Sequence, residues 1–367
     1  MRVSVPSLPD ALLRPAADAV ANTSITAAEA TTRIADFLTR GKGSTAVITG
    51  AGVSVDSGIR AYRGKGGRYL NPNYKCVAIY HELMEDTARG VAFRCAWLRS
   101  FLGYPPVRDA QPNPTHYALA ALQHGHVTSD LITQNVDGLH AKAVERFWPK
   151  SRIEEQILEL HGTLHSVRCS HGHVISREAF QEKLGMANPG WKEYLKNLEQ
   201  TGDQPRTNPD GDVVLPEGTR YDEFVVPECP KCLRDKQHNT MLKPEVVFFG
   251  ESISQGVKER SFEVISDSKQ LLVVGTTLAT FSAFRLVKQA VEQRKPVLLL
   301  NEGASRADNL LGIEHVRILT SAVMRDVVRK VLGVTAESDI FPELLNSGIV
   351  KLPPEDPDDG LPTPPRL

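Results

Sequence analysis

A short apolar run that ends in a glycine-rich turn constrains the fold of this chain more than any other stretch. Residues 44–49 are β-branched and apolar, which predicts a buried strand, and Gly50-Ala51-Gly52 follows directly. Glycines at a strand end let backbone N–H groups approach a phosphate, and the next helix adds the positive end of its dipole. Val55 stands where the dinucleotide fingerprint of dehydrogenases has its third glycine. The sequence therefore predicts a nucleotide-binding turn that differs from that of an ordinary dehydrogenase.

Further apolar runs also end in small or polar residues. Residues 130–133, 270–274 and 296–300 predict buried strands that alternate with helices, which indicates a parallel, doubly wound sheet of the Rossmann-like α/β class. Ligands of such sheets bind at the carboxyl ends of the strands, where Asn135 and Asp137 stand. A helix-capping turn is the structural alternative for this pair.

A histidine and a group of cysteines suggest further chemistry. His161 ends an apolar stretch beside a glycine and is a candidate general base, although a lone histidine is often structural. Cys229-Pro230-Lys231-Cys232 has the spacing of half a zinc site, and Cys169 begins the other half. Gly172 occupies the second cysteine position of that half. We expect His171 to complete a Cys₃His site, since imidazole reaches farther than a thiolate; His173 and a metal-free loop are the alternatives.

Composition excludes several classes of protein. The net charge of −1 argues against nonspecific nucleic-acid binding, and no apolar run approaches the ~20 residues of a membrane span. Five cysteines without a secretory signal indicate a reduced compartment. Arg2 and Arg14 resemble a mitochondrial presequence, while Asp10 and Asp18 argue against one, so the mitochondrial matrix is expected and the nucleus or cytoplasm stays open. The Pro- and Asp-rich residues 351–367 are predicted to be disordered.

The motifs, taken in order, resemble the sirtuin family over roughly residues 26–335. The resemblance is carried by residues 50–59, 133–137, 161–162, 249–251, 275–277 and 301. Residues 111–116, the insert with Asn188-Pro189-x-Trp191 and residues 209–212, and residues 300–303 resemble the class II mitochondrial members.

The resemblance implies a domain division. A flexible tail (1–24) would precede a catalytic domain (25–335), and a second tail (336–367) would follow it. Within the catalytic domain, the NAD-binding part would comprise 25–63, 105–165 and 240–335. The helical part of the small domain would be 64–104, and the zinc module 166–239.

The resemblance also implies the reaction. The chain would be an NAD-dependent protein deacylase, a transferase that acts on acylated lysines of protein substrates and releases nicotinamide and O-acyl-ADP-ribose. His161 would deprotonate a ribose hydroxyl, Asn135 and Asp137 would hold the nicotinamide amide, and Arg63 would belong to the catalytic set. NAD contacts would come from Gly50, Ala51, Gly52, Ser54, Ser57, Gly58, Tyr62, Arg63, Gln134, Asn135, Asp137, Gly275, Thr276, Thr277, Asn301, Glu302, Gly303 and Ser321. Zinc would be held by Cys169, His171, Cys229 and Cys232.

Two departures from the family leave alternatives open. Arg60-Ala61 replaces a Pro-Asp or Pro-Thr pair in the cofactor loop, which leaves a catalytically weak NAD-binding adaptor as an alternative. The resemblance itself leaves protein ADP-ribosyl transfer as another, because the family includes members credited with that activity. The Tyr-x-x-Arg pair that grips succinyl groups is here Ala96-Trp97-Leu98-Arg99. We therefore expect weak desuccinylation and a preference for neutral or bulky acyl groups.

Overall fold

The computed structural model describes residues 25–63, 92–201, 213, 223–238, 240–333 and 340–354. The strands of this part of the chain are β1 (Thr45–Thr49), β2 (Leu131–Thr133), β3 (Ile157–Glu159), β4 (Gly162–Cys169), β5 (Val174–Ser176), β6 (Leu242–Val246), β7 (Gln270–Val274), β8 (Val297–Leu300) and β9 (Ile313–Val316). The helices are α1 (Ala27–Gly41), α2 (Ala92–Asp109), α3 (Pro114–His124), α4 (Leu139–Val144), α5 (Lys150–Gln156), α6 (Arg177–Ala187), α7 (Pro189–Thr201), α8 (Pro230–Arg234), α9 (Gln255–Asp267), α10 (Phe281–Glu292), α11 (Met324–Leu332) and α12 (Phe341–Asn346).

Six parallel strands form the main sheet, in the order β3-β2-β1-β7-β8-β9. The strand order reverses beside β1, whose last residue Thr49 pairs with Thr133 on one side and with Val274 on the other. Open α/β sheets bind ligands in the crevice at such a reversal. The predicted doubly wound parallel sheet is therefore confirmed, and β1 lies at its switch point.

Helices cover both faces of this sheet, because successive side chains of a strand point to opposite sides. Val47 of β1 and Leu272 of β7 pack into one apolar cluster with α1, α3 and α11. Ile48 and Val273 pack into a second cluster with α9 and α10. All five residues of β1 are buried, which explains why its sequence lacks the alternation of apolar and charged residues seen in half-exposed strands.

A smaller antiparallel sheet is formed by the chain between β3 and β7 of the main sheet, in the order β5-β4-β6. Its core also contains α2 and α6, where the Trp97 ring packs edge-on against Phe180 with ring centroids 4.9 Å apart. The Trp97 Nε1–H donates to the carbonyl of Leu242 at 3.1 Å, so the buried indole has a partner. Three cysteines are buried in the same core.

The C-terminal segment packs against the loop that follows the glycine-rich turn. After α12, the N–H of Ile349 donates to the carbonyl of Pro112 (3.2 Å) and that of Lys351 to Asp56 (2.8 Å). Arg60 donates through Nη2 to the carbonyl of Pro354 at 2.7 Å. The prediction of disorder is thus wrong for residues 351–354, since backbone pairing with a distant loop holds them, while 355–367 lie outside the described residues. Of the helices described, none has the length and apolarity needed to cross a bilayer.

Candidate functional site

The turn after β1 is locked to the end of β7. Gly52 donates through its N–H to the carbonyl of Gly275 at 2.9 Å, and Gly50 donates to Val274 at 3.2 Å. A Cβ on Gly50 would lie 2.6 Å from Cβ of Thr276, and one on Gly52 would lie 2.7 Å from the Gly275 oxygen. Glycine is therefore required here because two strand ends touch, and the turn holds a fixed shape at the switch point.

A buried hydrogen-bond network stands beside this turn. Ser54 donates from Oγ to Oδ2 of Asp137 at 2.7 Å and accepts a hydrogen bond from Nδ2 of Asn135 at 3.0 Å. Oδ1 of Asp137 accepts the N–H of Leu139 at 3.0 Å, and Nδ2 of Asn135 also donates to the Gly50 carbonyl. Burial raises the pKa of Asp137 above its usual range. The structure thus joins Ser54, Asn135 and Asp137, which come from two different strand ends.

Two buried histidines contact this network and the end of β1. The His116 ring lies 3.4 Å from Oγ of Ser54 through Nε2, and Nε2 of His140 lies 2.9 Å from Oγ1 of Thr49. Burial lowers the pKa of His140 to about 3 and that of His116 well below 6.5, so both rings are neutral. The sequence indicated only a turn at residues 113–116, and Asn113 does cap α3 there, with its Oδ1 accepting the N–H of Thr115 at 2.9 Å.

His161 is held at both ring nitrogens. Its Nδ1 lies 3.0 Å from the carbonyl oxygen of Gln134, and its Nε2 lies 2.7 Å from Oγ of Ser282. Because a carbonyl can only accept, Nδ1 carries the proton and Nε2 carries the lone pair. Burial lowers the pKa of His161 to about 4, so the ring is a neutral base at pH 7. Ser282 was not found from the sequence, since no motif there distinguishes it.

Glu159, the last residue of β3, is a second side chain that the sequence did not single out. Burial, with the neighbouring carboxylates of Asp137 and Glu245, raises its pKa to about 8. The acid therefore stays largely protonated at neutral pH, two residues before the neutral His161.

The other predicted cofactor residues lie at strand ends or nearby turns. Thr276 accepts at Oγ1 from Nε2 of Gln134 at 3.0 Å, and the Thr277 carbonyl accepts the N–H of Arg306 at 2.9 Å. Asn301, directly after β8, donates from Nδ2 to the carbonyl of Gly303 at 2.8 Å. Ala51 lies within the glycine turn, and the segment that follows the turn contains Ser57, Gly58, Tyr62 and Arg63. Glu302, Gly303 and Ser321 are exposed.

Four potential metal ligands converge in the small module. The thiols of Cys169, Cys229 and Cys232 and a ring nitrogen of His173 all lie within 4.8 Å of one another. The His171 ring contacts only one of these thiols, that of Cys232, and the residue is exposed. The geometry therefore favours His173, the alternative, over the expected His171.

The turn between β4 and β5 explains this choice. Gly172 has a φ of +82°, and the N–H of Cys169 donates to the carbonyl of His173 at 3.0 Å. This pairing directs His173 back toward the thiols. Three thiols and an imidazole are a donor set that suits tetrahedral zinc.

Comparisons with known proteins show which sequences this chain resembles. The Sir2 family model matches residues 50–282. An NAD-dependent protein deacylase SIR4 of Batrachochytrium dendrobatidis is 41% identical over 82% of this chain and 94% of the relative. The Drosophila melanogaster deacylase Sirt4 is 37% identical over 81% of this chain and 85% of its own. An NAD-dependent protein deacetylase 3 of Pseudomonas syringae is 40% identical over 72% of this chain and 84% of its own.

Solved structures share the fold. A Sir2 homologue in complex with NAD superposes with a TM-score of 0.54 at 24% identity, over 82% of this chain and 94% of the other. A Sir2 complex with a p53 peptide and NAD gives a TM-score of 0.58 at 22% identity, over 83% of this chain and 99% of the other.

Proposed function

The chain belongs to the Sir2 family, and from this premise we propose that it is an NAD-dependent protein lysine deacylase that releases nicotinamide and O-acyl-ADP-ribose. The observation that carries the proposal is His161, a neutral base whose Nδ1 is fixed by a backbone carbonyl. It stands at the carboxyl end of the sheet together with the buried Ser54–Asn135–Asp137 network. His161 would take the proton of a sugar hydroxyl, and the network would hold a carboxamide.

The donor set of the network suits the nicotinamide amide. Both amide hydrogens of Asn135 are used on Gly50 and Ser54, so its Oδ1 is the atom that a ligand N–H would meet. Asp137 adds a buried carboxyl group fixed by Ser54 and Leu139. NAD, when bound, supplies an electrophilic sugar carbon and nicotinamide as leaving group. The residues of this chain orient the amide and exclude water around it.

We assign the remaining NAD contacts to residues that follow successive strands of the main sheet. We assign the phosphates and the nearer ribose to the glycine turn and to residues 275–277, and the adenosine end to residues 301–303 and Ser321. Ser57, Gly58, Tyr62 and Arg63 would complete the nicotinamide side. We assign zinc to Cys169, His173, Cys229 and Cys232, where it would tie the β4–β5 turn to α8.

The first prediction tests the base. His161→Ala is expected to bind NAD almost normally but to lose acyl-lysine turnover by about 10²-fold or more, because the proton acceptor is gone. Calorimetric NAD binding and a deacylation assay measure the two quantities. His126→Asn, a change at an exposed histidine before β2, is the matched control. Near-normal turnover of His161→Ala would remove this residue from the mechanism.

The same assay separates the alternative functions. An acyl-peptide panel analysed by mass spectrometry distinguishes free lysine with O-acyl-ADP-ribose from an ADP-ribosylated protein. A weak adaptor would bind NAD without nicotinamide release. The departure at Arg60-Ala61 is the feature that favours the adaptor.

The second prediction concerns the acyl group. Arg99 lies on α2 within the sequence Ala96-Trp97-Leu98-Arg99, where succinyl-specific sirtuins would have a tyrosine in place of Ala96. Loss of a desolvated hydroxyl contact costs about 1–3 kcal/mol. Lipoyl-like or branched chains are therefore expected to exceed acetyl in kcat/KM, with succinyl weaker. Succinyl emerging as the best substrate by about tenfold, or about 1.4 kcal/mol, would show that the missing tyrosine does not decide specificity.

The location is proposed to be the mitochondrial matrix. Arg2 and Arg14, together with the resemblance to class II sirtuins, support it. Imaging of a fluorescent fusion with and without residues 1–24 tests the proposal, and a nuclear or cytoplasmic signal from the intact chain would contradict it.

A further inference from the structure

The hydroxyl of Ser282 occupies the position beside His161 from which a substrate hydroxyl would donate its proton to the ring. A neutral imidazole has one lone pair, and here it lies on Nε2 because Nδ1 faces the Gln134 carbonyl at 3.0 Å. Oγ of Ser282 lies 2.7 Å from that same Nε2. The lone pair therefore already accepts the serine hydroxyl hydrogen. A second hydroxyl cannot donate to it unless Ser282 turns away.

This contact is built into the fold. Ser282 belongs to the first turn of α10, which begins after Thr280. Oγ1 of Thr280 donates to Oε1 of Gln134 at 3.0 Å, while the Gln134 carbonyl fixes Nδ1 of His161. One residue thus anchors both the base and the start of the helix that carries Ser282. Gln134 therefore fixes the position of His161 directly, and that of Ser282 through Thr280 at the start of α10.

The serine hydroxyl also has the chemistry of a relay. A hydroxyl donates one hydrogen bond and accepts others through its oxygen. Ser282 and His161 are both partly exposed, so neither residue is sealed inside the core. Ser282 can accept a hydrogen bond from a ligand hydroxyl while it donates to Nε2.

We propose that Ser282 is a proton-relay residue, whose hydroxyl passes a proton from a hydroxyl of the NAD-derived ribose to Nε2 of His161. The proton of the sugar hydroxyl bonds to Oγ of Ser282 as the serine's own proton moves to Nε2. The sugar oxygen keeps the electron pair, and His161 becomes an imidazolium whose Nδ1–H still donates to Gln134. This inference rests on the proposed function, because it takes His161 as the base.

The first test needs no NAD. Long-range ¹H–¹⁵N spectra of protein with ¹⁵N-labelled histidine, with His161→Ala to assign the signals, report which ring nitrogen is protonated. The wild type is expected to show Nδ1–H and a hydrogen-bonded, unprotonated Nε2. In Ser282→Ala the Nε2 shift should move to that of an unbonded lone pair. A wild-type His161 protonated on Nε2 would overturn the proposal.

The second test compares steps of the reaction. Ser282→Ala is expected to lower acyl-lysine turnover by about 10- to 100-fold, to leave the KM for NAD nearly unchanged and to keep nicotinamide release, which precedes the need for a base. Ser282→Thr retains a hydroxyl and should recover most of the turnover. Ser266→Ala is the matched control, because it removes a hydroxyl that accepts hydrogen bonds from the side chains of Gln289 and Gln293, away from His161.

The outcomes distinguish a failure of the serine relay from a failure of His161 as the base. Turnover of Ser282→Ala at or above that of the wild type, with His161→Ala inactive, would overturn the relay but keep the base. A fully active His161→Ala would overturn the base itself. Equal loss of nicotinamide release and turnover in Ser282→Ala would mean a structural role for the serine and would also overturn the relay.

Discussion

At the scale of single residues, burial rather than charge pairing sets the chemistry at the end of β3. Desolvation disfavours the charged form of any group, so it lowers the pKa of His161 to about 4 and raises that of Glu159 to about 8. An acid and a base two residues apart are therefore both largely neutral at pH 7. Pairs whose pKa values are pushed apart in this way are typical of functional sites.

The Glu159 pKa leads to a prediction about stability. The folded protein holds a proton on Glu159 up to about pH 8, whereas the unfolded chain releases it near the usual value of 4.5. Folding therefore binds a proton in this window, and the wild type loses stability as the pH rises through it. Glu159→Gln keeps the neutral form, so its gain in melting temperature over the wild type should be larger at pH 8 than at pH 5.

Thermal unfolding at the two pH values measures this difference. Glu155→Gln, at an exposed position of α5, is the control and should show no such trend. A gain for Glu159→Gln that is the same at both pH values would mean that Glu159 is ionised in the folded protein.

At the scale of elements, the C-terminal segment is joined to the loop that follows the glycine turn. Ser57 and Lys351 form a parallel bridge, and the Lys351 N–H donates to the Asp56 carbonyl at 2.8 Å. Arg60, one of the two residues that depart from the family pattern, donates to the Pro354 carbonyl at 2.7 Å. The departure in the loop and the docked segment are thus one structural unit.

Because these contacts hold the loop after the glycine turn, we expect the C-terminal segment to support cofactor binding. Removal of residues 348–367 takes away the backbone partners of residues 56–60, and each lost hydrogen bond is worth about 1 kcal/mol. NAD affinity, measured by calorimetry, is expected to fall about fivefold or more, and Arg60→Ala should give a smaller loss. A chain that ends at residue 354 keeps these contacts and is the control. Unchanged affinity after the longer truncation would show that the loop holds its shape alone.

At the scale of the whole molecule, the candidate base lies where the two sheets meet. His161 stands between β3 of the main sheet and β4 of the small one, and its carbonyl accepts the N–H of Val247 at 2.9 Å. The four potential metal ligands lie at the far end of β4 and beside α8. The small sheet thus connects the base to the metal cluster through a single strand.

The last prediction concerns this cluster. Freshly purified protein is expected to contain one zinc per chain, and His173→Ala should lower the zinc content while His171→Ala keeps it. Chelation should lower the melting temperature, because the metal joins segments far apart in the chain. Elemental analysis measures the content. Zinc lost from His171→Ala but kept by His173→Ala would return the ligand assignment to His171.

The sequence by itself determined the parts of this protein that depend on neighbouring residues. Short continuous apolar runs indicated β1 and β7, and Gly50 and Gly52 marked the switch point. The spacing of Cys229 and Cys232 indicated half of a metal site. These signals are local, because strand burial, turn geometry and ligand spacing are properties of short segments.

Only the tertiary structure decided which distant residues meet. Ser282 lies 121 positions from His161, and Lys351 contacts a loop nearly 300 positions earlier. The choice of His173 over His171 depends on how the β4–β5 turn aims its side chains. The raised pKa of Glu159 depends first on its burial and then on carboxylates from β6 and from the loop after β2. Such contacts follow from the crossing of elements and from burial, which no short segment encodes.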